Sequence, residues 1–457
     1  MRPLALIDNT PNQRGCFNDC EDELVYLSSQ TIGDMKDAKG KKLLLFPYSF
    51  KKCEDDIGSQ RLFTVNTLFK DKKVVVDSIS TGNLMGFIGI NNKEIVISSR
   101  FSTGINDDFF LQYMLQRVMS VNVMKLKYGI TPDGMFELLA FMFPEFLRRA
   151  VRQGLFRQYV RKKYNDANVK GTIDINRHIR RNIPFNGCVA YSTREFDADT
   201  PLMQLVRHTI EHLSGKRELK HILIEDCDIK DIVKTVISLT PSYNTRCREQ
   251  VIKANLKPFV HPYFTEYASL QKLCLQILRH HRIRFGESEE KIYGILFDGA
   301  WLWEEYLAKL LQPLDFIHPR NKRGEGRIYL CKNSFFPRYP DFYKESENSI
   351  VIDAKYKRHI DTRDDINQIL TYMYRLKCRY CAFILPQAKS EQIEKSQYEF
   401  LGYGGRLGIH RLIIPSQTET GDYGTFVEEM KKAEENLVSD LDQRYRWTTT
   451  SALPTTR

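Results

Sequence analysis

The sequence predicts a multidomain α+β protein: a β-rich N-terminal domain, a mainly helical middle region and a C-terminal domain of mixed α/β order. Three observations carry this expectation. Between residues 62 and 101, β-branched runs such as Val74-Val75-Val76 and Ile95-Val96-Ile97 alternate with turn residues such as Asn91-Asn92, the pattern of hairpins. From residue 107 to about 257, apolar residues recur at helical spacing, with helices expected over 109–124, 132–143 and 145–163. From residue 263 to about 415, strand-like and helix-like stretches alternate, closing on strands at 381–385 and 410–414.

The remaining elements follow from the same signals. Residues 1–60 are irregular and charged, apart from a short strand at 43–46. Residues 421–438 read as a charged helix. The expected domain limits are 1–130, 131–260 and 261–438, with 439–457 as a disordered tail. There is no internal repeat and no low-complexity tract.

Composition limits the function classes. At 457 residues the chain can form two or three domains with substantial cores. A net charge of +11 and a pI near 9.0 suggest a polyanionic partner. Ten cysteines are scattered, and the single Cys378-x-x-Cys381 pair has no second pair downstream, so reduced buried thiols are expected rather than zinc or redox chemistry. No signal peptide and no apolar run near 18 residues is present, so a soluble, cytoplasmic protein without a membrane association is expected.

Chemistry concentrates in Pro340-Asp341 and, twelve residues on, Asp353-Ala354-Lys355. The apolar run Ile350-Val351-Ile352 reads as a buried strand with polar groups at its end. Residues two apart on a strand share a face, so Asp353 and Lys355 point the same way. A polar turn over 345–349 brings Asp341 opposite residue 353 or 354. Two carboxylates then meet beside one ammonium. That set suits Mg²⁺, which takes oxygen ligands and is usually held by one or two carboxylates together with substrate phosphate. Asp341 and Asp353 are the expected ligands, with the Ala354 carbonyl as a candidate third, and Lys355 stands next to the attacking water or the phosphoryl oxygens. The reaction class is phosphodiester hydrolysis.

Two flanking helices support this set. Residues 364–377 form an amphipathic pattern in which Gln368 and Tyr372 fall four apart on one face, where the tyrosine can fix the glutamine. Asp298 is placed to cap a helix carrying Glu304 and Glu305, one of which faces the metal site. A basic stretch from Arg148 to Lys163, continued by Arg177, His178, Arg180 and Arg181, reads as a helical face able to track phosphates. Arg279-His280-His281-Arg282 and Arg320-Asn321-Lys322-Arg323 flank the carboxylates and are better placed to hold DNA near them.

These residues resemble the PD-(D/E)xK nuclease superfamily, and Gln368-x-x-x-Tyr372 is similar to the motif of its RecB-like branch. The match narrows to the McrC family, nuclease subunits of McrBC-type (LlaJI-like) modification-dependent restriction systems. It rests on Leu296-Phe297-Asp298, Trp303-Glu304-Glu305-Tyr306, Pro340-Asp341-Phe342 and Val351-Ile352-Asp353-Ala354-Lys355-Tyr356-Lys357, and, outside the nuclease, on Lys170-Gly171-Thr172-Ile173-Asp174 and Arg194 to Leu202. Gly299-Ala300-Trp301 and Trp303 depart from the usual family residues without touching the catalytic set.

The resemblance implies a restriction-endonuclease-like core at the C-terminus with Asp341, Asp353, Lys355, Gln368 and Glu304 catalytic and Mg²⁺ as cofactor. It also implies duplex DNA as substrate and an AAA+ GTPase hexamer of the McrB kind as partner. Residues 1–260 would dock on that hexamer and stimulate it, and the nuclease domains could dimerise in the complex. The chain has no Gly-x-x-x-x-Gly-Lys-Ser/Thr, and the glycines at 402, 404, 405 and 408 lack the lysine and hydroxyl of a phosphate loop, so nucleotide hydrolysis is expected of the partner. Two other readings fit the same residues: a RecB-like repair nuclease without a motor, and a non-catalytic adaptor of an AAA+ ATPase.

Overall fold

A computed structural model describes residues 4–446 except 16, 18–19, 38–40, 47–58, 71–72, 91–92, 103–107, 120–131, 217–218, 225, 285–291, 320–325, 345–348, 390–396 and 403. The chain divides into two compact units: one formed by residues 1–135 together with 288–457, the other by 136–287. Strands and helices are mixed in both, as α+β predicts.

The first unit contains two five-stranded sheets. In one, the order is Leu4–Ile7, Lys93–Ser98, Leu84–Ile90, Ile292–Asp298 and Lys41–Phe46. Leu84–Ile90 is buried along its whole length, and its Leu84, Ile88 and Ile90, with Leu24, Leu27 and Leu296, belong to one core. Ile292–Asp298 runs antiparallel to Leu84–Ile90 and parallel to Lys41–Phe46. Gly86 and Gly294 have φ of +130° and +151°, and a Cβ on either would lie 2.2 Å from a carbonyl oxygen of the facing strand. Only glycine permits that approach.

The second sheet has the order Phe342–Lys344, Ile350–Ala354, Tyr380–Ala388, Arg406–Ile414 and Gln397–Glu399, antiparallel at its two ends and parallel between. Helix Asp364–Leu376 connects Ile350–Ala354 to the parallel Tyr380–Ala388, the βαβ arrangement. Its Ile369 and Tyr372 pack with Val351, Phe383 and Leu385. Three further helices of this unit meet at buried Glu434, which accepts from the Tyr113 and Tyr306 hydroxyls (2.8 and 2.7 Å) and pairs with Arg117 (2.7 Å).

The second unit is helical, with a three-stranded sheet in the order Gln158–Asp166, Val189–Asp197, Thr172–Ile173. Here the expectations need correction. Helices at 132–143 and 145–163 are replaced by one helix, Pro132–Arg152, which runs through Pro144, followed by strand Gln158–Asp166. Gly154, at φ +105°, ends the helix, and the Arg- and Lys-rich segment after it alternates with period two. The basic stretch from Arg148 to Lys163 is therefore no single helical face.

The domain limits differ as well. Helix Glu266–Arg284, expected in the C-terminal domain, belongs to the second unit, and Ile292–Asp298 lies in the N-terminal sheet. Helix Phe109–Met119 is shorter than expected; residues 120–124 lie outside the described residues. The N-terminal 60 residues are more regular than expected, with strand Leu4–Ile7 and helices Glu21–Ser29 and Ile32–Asp37. The last helix, Tyr423–Arg446, continues past 438 into the segment expected to be a disordered tail, and 447–457 lie outside the described residues. Among the described residues no helix is long and apolar enough to cross a membrane.

Candidate active site

Strand register brings the two motif carboxylates together. Phe342 faces Ile352 across the antiparallel pair, which sets Asp341 against the Asp353-Ala354 step. The Ala354 amide donates to Asp341 Oδ2 at 2.8 Å. Asp353 ends the buried strand and is 1% exposed. Its Oδ2 has no well-aligned hydrogen bond but lies 2.7 Å from Lys355 Nζ, an ion-pair contact.

The lysine is held from three sides. Besides Asp353, its Nζ donates to Gln368 Oε1 at 2.7 Å and stands 3.5 Å from Asp365 Oδ1. Gln368 Nε2 in turn donates to Tyr372 Oη (2.7 Å), and Tyr372 Oη donates to the Tyr339 carbonyl (3.1 Å). The four-residue spacing on helix Asp364–Leu376 thus does what the sequence suggested, since the tyrosine fixes the glutamine. The glutamine, however, is turned to the lysine rather than left open toward a water or phosphate.

Glu304 and Glu305 have separate surroundings. Asp298 caps helix Gly299–Leu311 by accepting from the Ala300 and Trp301 amides (3.0 and 3.4 Å), and the Trp303 indole donates to the Ile384 carbonyl (3.3 Å), which fixes this helix on the second sheet. From it, Glu304 acts on the charge of Asp341, whereas Glu305 accepts from Trp301 Nε1 (3.2 Å) and hydrogen-bonds His318. Of the two, Glu304 is the one whose charge acts on Asp341.

The electrostatics follow from crowding. Burial, then the charges of Glu304 and Asp353, push the Asp341 carboxyl well above the usual carboxylate range, and the Ala354 amide and Lys355 only partly offset this. Burial alone would lower the Lys355 ammonium, but Asp353, Asp341 and Asp365 outweigh it and raise its pKa, so it stays charged. Burial, then the charges of Asp353 and Asp341, raise the Tyr372 hydroxyl, which keeps its proton.

Two groups here were not found by sequence reasoning. Asp365, 5% exposed, pairs with Lys357, lies near Lys355 and accepts from the Asp361 amide at 2.6 Å. His318 Nδ1 donates to the Asp341 carbonyl (3.0 Å), and its ring stacks on Phe342 with centroids 4.8 Å apart. Only helix-start composition could have flagged Asp365, and nothing local marks His318. Side chains 279–282 and residues 320–323, expected near the DNA, lie outside the described residues. Cys378 and Cys381 are buried free thiols, and burial raises Cys381 to about 12.

Among the described residues, no three His, Cys, Asp or Glu side chains form a metal cage. The donor set still fits Mg²⁺. It offers the half-buried Asp341, crowded by like charge, and the buried Asp353, lacking an aligned hydrogen-bond donor at one oxygen, and Mg²⁺ commonly takes no more from the protein.

Residues 79–386 match the family described as McrBC 5-methylcytosine restriction system component. Comparison with curated proteins gave no match. Among solved structures, a chain of the refined half-complex from the tetradecameric assembly of Thermococcus gammatolerans McrB AAA+ hexamers with bound McrC is similar at 15% identity and a TM-score of 0.49, covering 97% of this chain and 100% of that one. A chain of the cryo-EM structure of the Thermococcus gammatolerans McrBC complex is similar at 14% identity and a TM-score of 0.31, covering 68% and 87%.

Proposed function

Because the chain belongs to the McrBC 5-methylcytosine restriction system component family, we propose that it is the nuclease of such a system, a Mg²⁺-dependent endodeoxyribonuclease acting on duplex DNA. One observation carries the reading: the half-buried Asp341, held by the Ala354 amide, and the buried Asp353 come together beside an ammonium whose position is fixed by a glutamine and a tyrosine.

In this reading Asp341 and Asp353 hold the ion, and Glu304 completes the acidic surround. Bound Mg²⁺ supplies Lewis acidity at the phosphoryl oxygens and acidifies a water. Lys355 presents N–H groups to the attacking water or a non-bridging oxygen, where a charge-assisted hydrogen bond strengthens as negative charge develops. Gln368 and Tyr372 keep the lysine from swinging away, and His318 steadies the backbone that carries Asp341. The family describes a component of a system, so the second half of the proposal is a partner: an AAA+ GTPase of the McrB kind, whose turnover this chain stimulates and which licenses cleavage.

The test uses purified full chain with Mg²⁺, with and without the cognate AAA+ protein and GTP. Cleavage should need the partner, and Asp353→Asn should abolish cleavage while leaving GTPase stimulation intact. Undiminished cutting by Asp353→Asn would sink the site assignment. Vigorous cutting of unmodified duplex by the isolated chain, indifferent to nucleotide, would favour an autonomous repair nuclease.

A further inference from the structure

The segment that follows strand Ile350–Ala354 is held from two sides. Its side chains alternate: Lys355 and Lys357 turn to Asp365 beside the carboxylates, whereas Tyr356 and Arg358 turn to the N-terminal sheet. Tyr356, 6% exposed, shares a 2.7 Å hydrogen bond with Ser99 Oγ, one residue past strand Lys93–Ser98. Arg358 Nη2 donates to the Arg100 carbonyl (3.0 Å). The backbone that carries Lys355 is thereby tied to a sheet whose contacting residue is 257 positions away in sequence.

Ser99 and Arg100 are themselves fixed by buried carboxylates. Asp108 accepts from the Ser99 amide (2.5 Å). Asp8, with no exposed surface, accepts from the Arg100 amide at one oxygen (2.5 Å) and from Arg100 Nη2 and Nε at the other (2.6 and 3.1 Å). The same guanidinium lies over the Tyr356 ring, 4.9 Å from its centroid, and Nη2 also donates to Asn83 Oδ1 (2.8 Å). The Asn83 carbonyl in turn accepts from the Gly299 amide (2.8 Å), at the start of the helix that carries Glu304. Tyr356 meets that helix start as well, since a Cβ on Gly299 would lie 2.7 Å from its ring. One buried cluster therefore touches both segments that bring charge to the site, the one with Asp353 and Lys355 and the one with Glu304. A buried ion pair adds little net stability, because desolvation offsets its attraction, but a fully satisfied polar network admits one arrangement of its members.

We infer that Tyr356, backed by Ser99 and the Asp8–Arg100 pair, is a positioning residue of the nuclease site: it sets the Lys355 segment against the Glu304 helix, and so makes the N-terminal sheet part of the cleavage machinery. This rests on the proposed roles of Asp353 and Lys355. Reacting groups need placement to a fraction of an ångström, and a shift of about 1 Å from a distant change can cost about a hundredfold in rate.

The experiment removes the shared hydrogen bond from each end. Tyr356→Phe keeps the ring and deletes the hydroxyl, and Ser99→Ala deletes its partner. Single-turnover cleavage by the partner-activated complex, at saturating DNA and Mg²⁺ and at a temperature where each variant is folded, should fall about tenfold in both. The apparent KM for DNA and the GTPase stimulation should stay unchanged. The double variant should be no slower than the slower single one, because both remove the same bond. Tyr445→Phe, which deletes a hydroxyl bonded to His410 (2.9 Å) elsewhere in the same unit, should cleave as the unaltered chain does. Hydrogen exchange of the full chain without metal gives a readout independent of cleavage: peptides spanning 353–358 should exchange about tenfold faster in both variants, with strand Arg406–Ile414 unaffected. Unchanged cleavage in the folded variants, or unchanged exchange at 353–358, would overturn the positioning role. So would additive losses in the double variant, a fall in GTPase stimulation that accounts for the lost cleavage, or a loss that vanishes once rates are corrected for the folded fraction. Normal cutting by Asp353→Asn together with faster exchange in Tyr356→Phe would instead sink the site assignment and leave the clamp on this segment standing, so the two failures give different results.

Discussion

Replacing Lys355 by methionine separates two roles that the structure gives the same ammonium. The side chain is 17% exposed and its partner Asp353 only 2%, so the pair is largely desolvated. Methionine keeps most of the stem's volume but takes from Asp353 its cation, while Asp365 keeps Lys357 and Asp341 keeps the Ala354 amide. Breaking a buried pair from one side costs about 3–5 kcal/mol of stability. Removing a preorganised donor from the reacting phosphate costs a further factor of about 10²–10³ in rate. The two losses can be told apart. Denaturant unfolding of the chain without metal reads the first. Single-turnover cleavage by the partner-activated complex, at a temperature where the variant is fully folded, reads the second. Lowering the pH should recover part of the stability, because protonated carboxylates repel less, but none of the cleavage. Cleavage within tenfold of the unaltered chain would refute a catalytic lysine, and an unchanged unfolding free energy would refute the desolvated pair.

Tyr372→Phe deletes the hydroxyl between Gln368 and the Tyr339 carbonyl, so single-turnover cleavage should fall about tenfold with the apparent KM for DNA unchanged; an equal change in both would assign the tyrosine to binding instead. Asp108, buried and accepting from the Ser99 and Leu111 amides, is raised to about 7, chiefly by burial. Its folded value exceeds its unfolded one, so its contribution is fully present below about pH 4 and is lost as pH rises through about 7. Unfolding experiments should show Asp108→Asn gaining stability relative to the unaltered chain between pH 5 and 8, and a flat difference would contradict the raised value. A fragment of residues 136–287 should unfold cooperatively by itself, whereas one ending at 260 should not fold, since it lacks the interior strand Ile292–Asp298 and helix Glu266–Arg284; soluble, cooperative behaviour of the second would refute the division into units.

What the sequence revealed was local. Asp298 as a cap, the facing of Asp341 and the Asp353-Ala354 step across a short hairpin, and the Gln368–Tyr372 contact all depend on spacings of a few residues, which strand and helix geometry fix. The destination of Ile292–Asp298 was not local. Its apolar run would read the same in either sheet, and its partners are about 200 and 250 residues away. His318 was invisible for that reason too, being joined to Asp341 only by the fold. The strand Gln158–Asp166 was misread as helix because apolar and basic residues at its start continued the preceding pattern. The period-two sorting of Arg161 and Lys162 onto opposite faces, after Gly154, was the signal against that reading.

The late strand of the N-terminal sheet, Ile292–Asp298, also bears on how the chain is made. Lys93–Ser98 leaves the ribosome early, but the strand that completes the sheet ends at Asp298, about 200 residues later. At about 5–20 residues per second, the half-built sheet waits for about 10–40 s with both inner edges unpaired, while residues 136–287 emerge and complete their own unit. Apolar strands with open edges are what nascent-chain chaperones recognise and what aggregates without them. Yield in heterologous expression should therefore respond more to chaperone supply and slower growth than to substitutions that stabilise the finished protein.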